Sequence, residues 1–285
     1  MKLLLLEEHT SKSNLLYNSL KGQKLSNLTP VSTEKFQSRY WFKYSDFGFT
    51  ASDTLVPISA NEVPQACIGL PLGFLLNKDV YSCVALLGLN PGQNLCLDKD
   101  NLWSARYLPH HYLFYPFVAL PNTDGNLVLC VDENSNLIHS DSSRGGEPFF
   151  DSSGAPNPKI NEIFKFLHTK ATQHETTLKI CDILAEHNLL KPWTVNVPVY
   201  QTQFEIDDLF CIDESRLNQL PGSALRELRN TGALLVAYAQ LFSMANTASL
   251  ARILYSDGGS AKKSLGSELG FSTEKDSGSL NFDNL

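Results

Sequence analysis

The chain has no excess of basic charge: 30 Asp and Glu outweigh 23 Lys and Arg, and the formal net charge is −7. No Lys/Arg cluster interrupts this acidic balance. Binding to nucleic acid needs basic groups that displace counterions from phosphates, so nucleic acid is not expected as a partner, and anionic lipid is disfavoured for the same reason. No apolar run reaches the roughly 20 residues of a spanning helix. The most apolar stretch, Gly232 to Ala245, falls short of that and contains Gln240; it reads as a buried core helix, so no membrane insertion is expected. At the amino terminus the apolar run stops at Leu6, where Glu7 and Glu8 follow, whereas a secretory segment needs roughly 7–15 apolar residues. No C-x-x-C pair occurs among Cys67, Cys83, Cys96, Cys130, Cys181 and Cys211. Most of these sit among apolar neighbours, where a free thiol behaves as a small hydrophobe rather than a ligand or bridge. The chain therefore reads as cytoplasmic. It also lacks G-x-S-x-G, G-x-G-x-x-G, a phosphate-binding P-loop, H-E-x-x-H and the H-x-E deaminase pattern. No cofactor is implied, and no catalytic residue can be assigned by motif.

What is present is a core. Of 285 residues, 42% are hydrophobic, with 16 Phe and 10 Tyr, a composition that buries well and argues against disorder over most of the length. Residues 1–30 read as a loosely ordered leader, 31–254 as one domain, and 255–285, poor in hydrophobes, as a flexible tail. Between Lys35 and Asp132 short apolar runs bounded by turn residues predict strands over Leu55–Ile58, Cys67–Leu76, Tyr81–Leu89, Tyr112–Leu120 and Asn126–Val131. The sequence Pro121-Asn-Thr-Asp-Gly125 predicts a hairpin turn between the last two. At Asn157-Pro158, an N-cap followed by Pro at the first helical position, the period changes, and Ile160, Ile163, Phe164 and Leu167 follow a helical repeat. A second helix is expected over Glu175–His187, which makes an αα-hairpin. Extended residues return from Val195, with a hairpin turn expected at Asp207-Asp208, and helices follow over Asp213–Leu220 and Ser223–Leu254. The fold class predicted is α+β: a mainly antiparallel sheet, an αα-hairpin and a long C-terminal helix.

The densest concentration of groups that stack, hydrogen-bond and titrate lies between Asn90 and Phe117. Trp103, Tyr107, Tyr112, Phe114, Tyr115 and Phe117 offer a stacking wall for a sugar or flat ligand. In a strand, His110 and His111 would point to opposite faces, one ring inward to act as acid, base or ligand and the other to solvent. Arg106, beside Tyr107, suits an anionic group. The ligand-binding residues expected are thus Trp103, Arg106, Tyr107, His110, His111 and Tyr112. Tyr40 to Tyr44 form a second aromatic cluster. The pairs His168/His174 and Cys181/His187 do not have zinc-ligand spacing, because six residues turn a helix by about 600° and leave such partners on different faces. No metal site is expected. Asp132-Glu133, Asp207-Asp208 and Asp213-Glu214 sit at strand ends, where carboxylates cap or solvate.

Taken together, these segments resemble the SapC family, bacterial proteins named for a link to S-layers. Val56-Pro57-Ile58 with Glu62 downstream is similar to its VPL…E segment. Val84 to Leu89 and Gly92-Gln93-Asn94-Leu95 resemble ALLGL…G-x-NLF. Trp103, Tyr107-Leu108-Pro109 and Tyr115-Pro116-Phe117 follow the order of its W…Y-x-P…YPF core. Cys130 to Glu133, Gly146 to Gly154, and Leu228 to Leu234 with Gln240 to Ser243 match later motifs, so the resemblance covers about residues 35–254. Where the family commonly has two Arg before YPF, this chain has Leu113 and Phe114. The resemblance brings no catalytic residues; it implies an accessory or ligand-binding protein of a bacterial cell-surface or nutrient-uptake system. The residues also admit an enzyme acting on a sugar or peptide in an aromatic pocket around Trp103 and His110/His111, and a structural subunit that assembles through aromatic surface.

Overall fold

The computed structural model describes residues 28–141 and 145–257. The expected leader lies outside the described residues as far as 27, and its last three residues, Leu28–Pro30, form a strand paired antiparallel to Leu127–Asp132. The expected tail lies outside from 258 onward, while 255–257 finish the last helix.

The architecture is α+β, and every paired strand among the described residues is antiparallel. A five-stranded sheet runs in the order Leu190–Pro192, Leu209–Ile212, Leu72–Asn77, Val80–Leu86, Leu55–Pro57. Its centre is the Leu72–Asn77/Val80–Leu86 hairpin, closed by Lys78 and Asp79, both at positive φ. A two-residue turn of that hand matches the strand twist. Phe74, Cys83, Val84, Ala85 and Leu86 on this hairpin are buried in the larger apolar core. A second, three-stranded sheet carries the hairpin predicted through Pro121–Gly125: Phe117–Pro121 pairs with Leu127–Asp132. Its turn is held by Asn122 Oδ1, which accepts from the amides of Asp124 and Asn126. Phe117, Leu129 and Val131 from this sheet join Phe36, Phe149, Phe150, Ile160 and Ile163 in a smaller, separate core.

Several predicted strands are shorter than their apolar runs. Residues Val63–Ala66 form a short helix whose turn continues to Leu70, so the strand expected from Cys67 begins only at Leu72. The hairpin expected at Asp207-Asp208 instead turns over Pro198–Gln201, joining Val195–Val197 to Thr202–Phe204. Pro198 has no amide to give a ladder, and Gln201 takes the left-handed conformation that ends the turn.

The αα-hairpin is not formed. One helix of 29 residues, Pro158–Glu186, replaces it, begun as predicted by Asn157, whose side chain accepts from the Lys159 amide. The sequence from His168 to His174, between the two helices expected, has no apolar repeat, but it also contains no Gly or Pro. Thr169, Thr172, Thr176 and Thr177 each donate their hydroxyl to the carbonyl four residues back, so the polar stretch meets its own hydrogen-bonding needs inside the helix. The helix spans the two cores: Ile160 and Ile163 pack into the smaller, Ile180, Cys181 and Leu184 into the larger. Its polar middle lies between them.

The C-terminal helices run Gly222–Thr231, Ala233–Ser243 and Thr247–Asp257, the last two joined by a single tight turn at Met244–Asn246. The break at Gly232 is conformational, since this residue has φ +83° and caps the preceding helix. Gly232→Ala is expected to cost about 1–2 kcal/mol through the left-handed backbone alone, because an added Cβ would meet only Ile180 Cδ1 at 3.9 Å; urea denaturation measures it. The apolar segment Ala233–Ser256 is long and apolar enough to cross a membrane by length and composition. Its inner stripe packs as a core helix does: the buried Gln240 accepts from the Ile212 amide and donates to the Leu72 carbonyl, stitching two sheet strands. Leu235, Tyr238 and Phe242 stand exposed on the other side.

Candidate functional site

The site is organised by a carboxylate, Glu62, that is 1% exposed. It sits at the start of the short Val63–Ala66 helix, and Oε2 accepts from the Ser59 amide three residues back, at 3.1 Å. Its other oxygen, Oε1, accepts from the Tyr107 hydroxyl and from the His110 amide, both at 2.9 Å. His110 Nδ1 lies 3.7 Å from the same atom. One buried side chain therefore fixes the path of the segment from Tyr107 to His110. Burial and the neighbouring Glu62 carboxylate together push the Tyr107 hydroxyl far above the usual phenol range, so it stays a donor.

Held this way, His110–Tyr112 is a short 3-10 turn after Pro109, not the entrance to the strand expected from Tyr112. The strand starts only at Phe117. The consequence for the His pair is direct. Both rings face the long helix: His110 meets Phe166 edge-on at 5.8 Å between centroids, and His111 Nδ1 lies 3.4 Å from Lys170 Nζ. The expectation that they point to opposite faces of a strand is overturned, because a tight turn of three residues carries none of the period-two alternation of a strand.

The remaining residues predicted for the site divide. Trp103 donates its indole N–H to the Tyr107 carbonyl and packs between Phe47 and Tyr112, with centroids 5.7 and 5.8 Å away. Tyr112 is buried, its hydroxyl donating to Asp53 Oδ2 at 2.8 Å; burial raises the Asp53 carboxyl above its ordinary value, against the lowering effect of that bond. These two side chains support the segment from behind. Arg106 is exposed and makes no ion pair among the described residues; its backbone side packs so closely on Gly69 that a Cβ there would lie 2.9 Å from Arg106 Cβ. Leu113 and Phe114 are partly buried, and Phe114 packs on Phe166 at 4.7 Å.

The groups that sequence reading missed come from the polar middle of the long helix. Phe166, Lys170 and His174, four apart, lie on one helical face. Thr177, the next polar residue inward, accepts from the Ala60 amide at 2.8 Å and ties this face to the Glu62 loop. Lys170 is held down to about 8, first by burial, with Glu62 acting in the opposite sense. The His111 ring is driven well below its ordinary value by burial, then by Lys170 and His174, and His174 falls to about 4 from burial and Lys170. An ammonium can only donate, so His111 Nδ1 is the acceptor and the ring carries its proton on Nε2. His174 Nε2 is buried with no hydrogen-bond partner. At neutral pH this is an ammonium flanked by two uncharged imidazoles, with no carboxylate in ion-pair reach among the described residues. A legible signal did exist in the sequence: a long helix whose inward stripe changes from apolar to Lys170 and His174 and back again.

His168, His174 and Cys181 lie on one continuous helix, and among the described residues no three His, Cys, Asp or Glu converge in a way that could hold a metal ion.

Fold and site together define an α+β protein in which one helix crosses two apolar cores and sets a basic, aromatic-flanked seam between them. The chain belongs to the SapC family, whose model matches residues 31–250. Searches of curated proteins and of solved structures each return no match.

Proposed function

We propose that this SapC-family chain is a non-catalytic accessory protein that binds a small molecule in support of a bacterial cell-surface or nutrient-uptake system, and that it works in the cytoplasm. The observation that carries the binding reading is the polar interruption on the inner face of the long helix. Lys170 and His174 occupy positions where the stripe before and after them is apolar; Lys170 meets His111, and Phe166, one turn before it, meets His110. Holding a partly buried ammonium without a paired carboxylate disfavours folding. A complementary group on a ligand offsets that cost. The non-catalytic reading draws on Glu62, both of whose oxygens are engaged in holding the chain and are not free to move protons. Six unpaired cysteines fit a reducing compartment.

A thermal-shift screen of sugars, amino acids, peptides, organic acids and nucleotides tests this. One compound class is expected to raise the melting temperature by several degrees, and Phe166→Ala is expected to remove most of that shift while the variant still folds. A screen in which no class shifts the wild type removes the binding reading. Turnover of the stabilising compound by the wild type would replace it with the enzyme reading. The assembly reading has an observation of its own, the exposed Leu235 and Phe242, 56% and 74% accessible; light scattering that finds a strict monomer at high concentration removes it.

A further inference from the structure

We infer that the molecule bound at this seam is a carboxylate attached to an apolar or aromatic group, with Lys170 and His174 receiving the charged end and Phe166 the apolar end. This rests on the binding reading above and adds the ligand's chemistry. Of the three N–H donors of the Lys170 ammonium, one is directed to His111 Nδ1, and no other hydrogen bond from this group is made among the described residues. His174 Nε2 is buried and unpartnered. The seam thus offers unused donors on the Lys170 ammonium and, in the tautomer with its proton on Nε2, one on His174 a helical turn away; a carboxylate brings two oxygens able to accept from both. Glu62 does not serve as that acceptor: its oxygens are taken by Ser59, Tyr107 and His110, and Lys170 lies outside ion-pair distance of it. One turn before Lys170 stands Phe166, its ring bracketed by Phe114 at 4.7 Å and His110 at 5.8 Å. Charge at one end and an aromatic wall at the other select an aryl-type acid over a bare anion such as phosphate.

The charged and titratable groups facing Lys170 are Glu62 from the loop, His111 from the 3-10 turn and His174 from the helix itself. Binding is therefore expected to hold at neutral pH and to fail as the ammonium loses its proton above about pH 8.

Benzoate is the probe, with benzamide as its uncharged isostere and inorganic phosphate as the anion without a ring, each titrated calorimetrically into the full chain at neutral pH and at about pH 9.5. Benzoate is expected to bind at neutral pH and weakly at the higher pH, and benzamide and phosphate not to bind at matched concentrations. Lys170→Met is expected to lose about ten- to a hundredfold in benzoate affinity, the loss of a charge-assisted hydrogen bond. The same variant should melt no lower than the wild type, because an apolar side chain replaces an unpaired ammonium; Lys170→Gln serves as the second variant. The inference is overturned if benzamide binds as well as benzoate, if phosphate binds as well as benzoate, if both Lys170 variants keep wild-type benzoate affinity, or if benzoate does not bind. If a neutral compound from the screen stabilises the protein while benzoate does not, the carboxylate inference falls and the binding reading stands. If neither does, both fall.

Discussion

Replacing Glu62 with Ala is expected to cost about 3–5 kcal/mol of stability, the range for removing one partner from a buried charged network. The reason lies in the count of donors it satisfies. The Ser59 amide, the Tyr107 hydroxyl and the His110 amide all end on its two oxygens, and the side chain is 1% exposed, so water does not readily replace it. Each buried donor left without an acceptor costs about 1–3 kcal/mol. Chemical denaturation with urea reads the global loss. Amide hydrogen exchange reads the local one: the His110 amide should lose its protection first, since its only acceptor is gone. A variant that unfolds within about 1 kcal/mol of the wild type, with His110 still protected, would show that Glu62 does not anchor the segment.

The second large effect is on acid stability. His174 titrates near 4 in the folded protein against 6.5 for the free group, and His111 is displaced in the same direction. A depressed folded-state value means that between those two pH values the unfolded chain binds the proton and the folded chain does not. Stability supported by the neutral rings is therefore complete above about pH 6.5 and declines as the pH falls toward 4. The slope is about 1.4 kcal/mol per pH unit for each His that behaves so, which makes the His174 contribution on the order of 3 kcal/mol over the window. His174→Leu should flatten the stability-versus-pH curve between these limits by that one-proton slope, leaving the part due to carboxylates such as Glu133, which salt-bridges Lys35 and Arg39. Curves of equal slope for wild type and variant would refute it. Lys170 has the opposite place on the pH axis: held down to about 8 from 10.5, it should let stability rise as the pH climbs through that interval.

The two effects share a cause that sequence periodicity hides. The apolar repeat lapses between Leu167 and Glu175, and by periodicity alone the segment divides there into two helices. The chain continues as helix because Thr hydroxyls satisfy themselves on carbonyls four residues back and no Gly or Pro intervenes. A gap in an apolar stripe can mark the end of a helix or a polar site on a continuous one, and only the partners across from it tell the two apart. The His110-His111 pair was misplaced for a related reason. The apolar run from Tyr112 to Leu120 looks like a strand with the His pair at its entrance, yet Glu62, distant in sequence, captures the His110 amide and the Tyr107 hydroxyl, and the segment turns instead.

Local chemistry by itself determined the elements whose signals lie within a few residues: the Asn157 cap, the Asp213 cap of Glu214–Asn218, the Asn122 turn with its hairpin, and the order of motifs that places the chain in its family. The pattern of short apolar runs, turns and helical repeats determined a mainly antiparallel α+β class. Tertiary structure alone decided that the core is two cores crossed by one helix, and that Phe166 and Lys170 of that helix meet His110 and His111 beside Glu62. Those groups come from three segments far apart in the chain. Their altered proton affinities arise from shared burial and mutual charge, properties of the folded assembly rather than of any stretch of sequence.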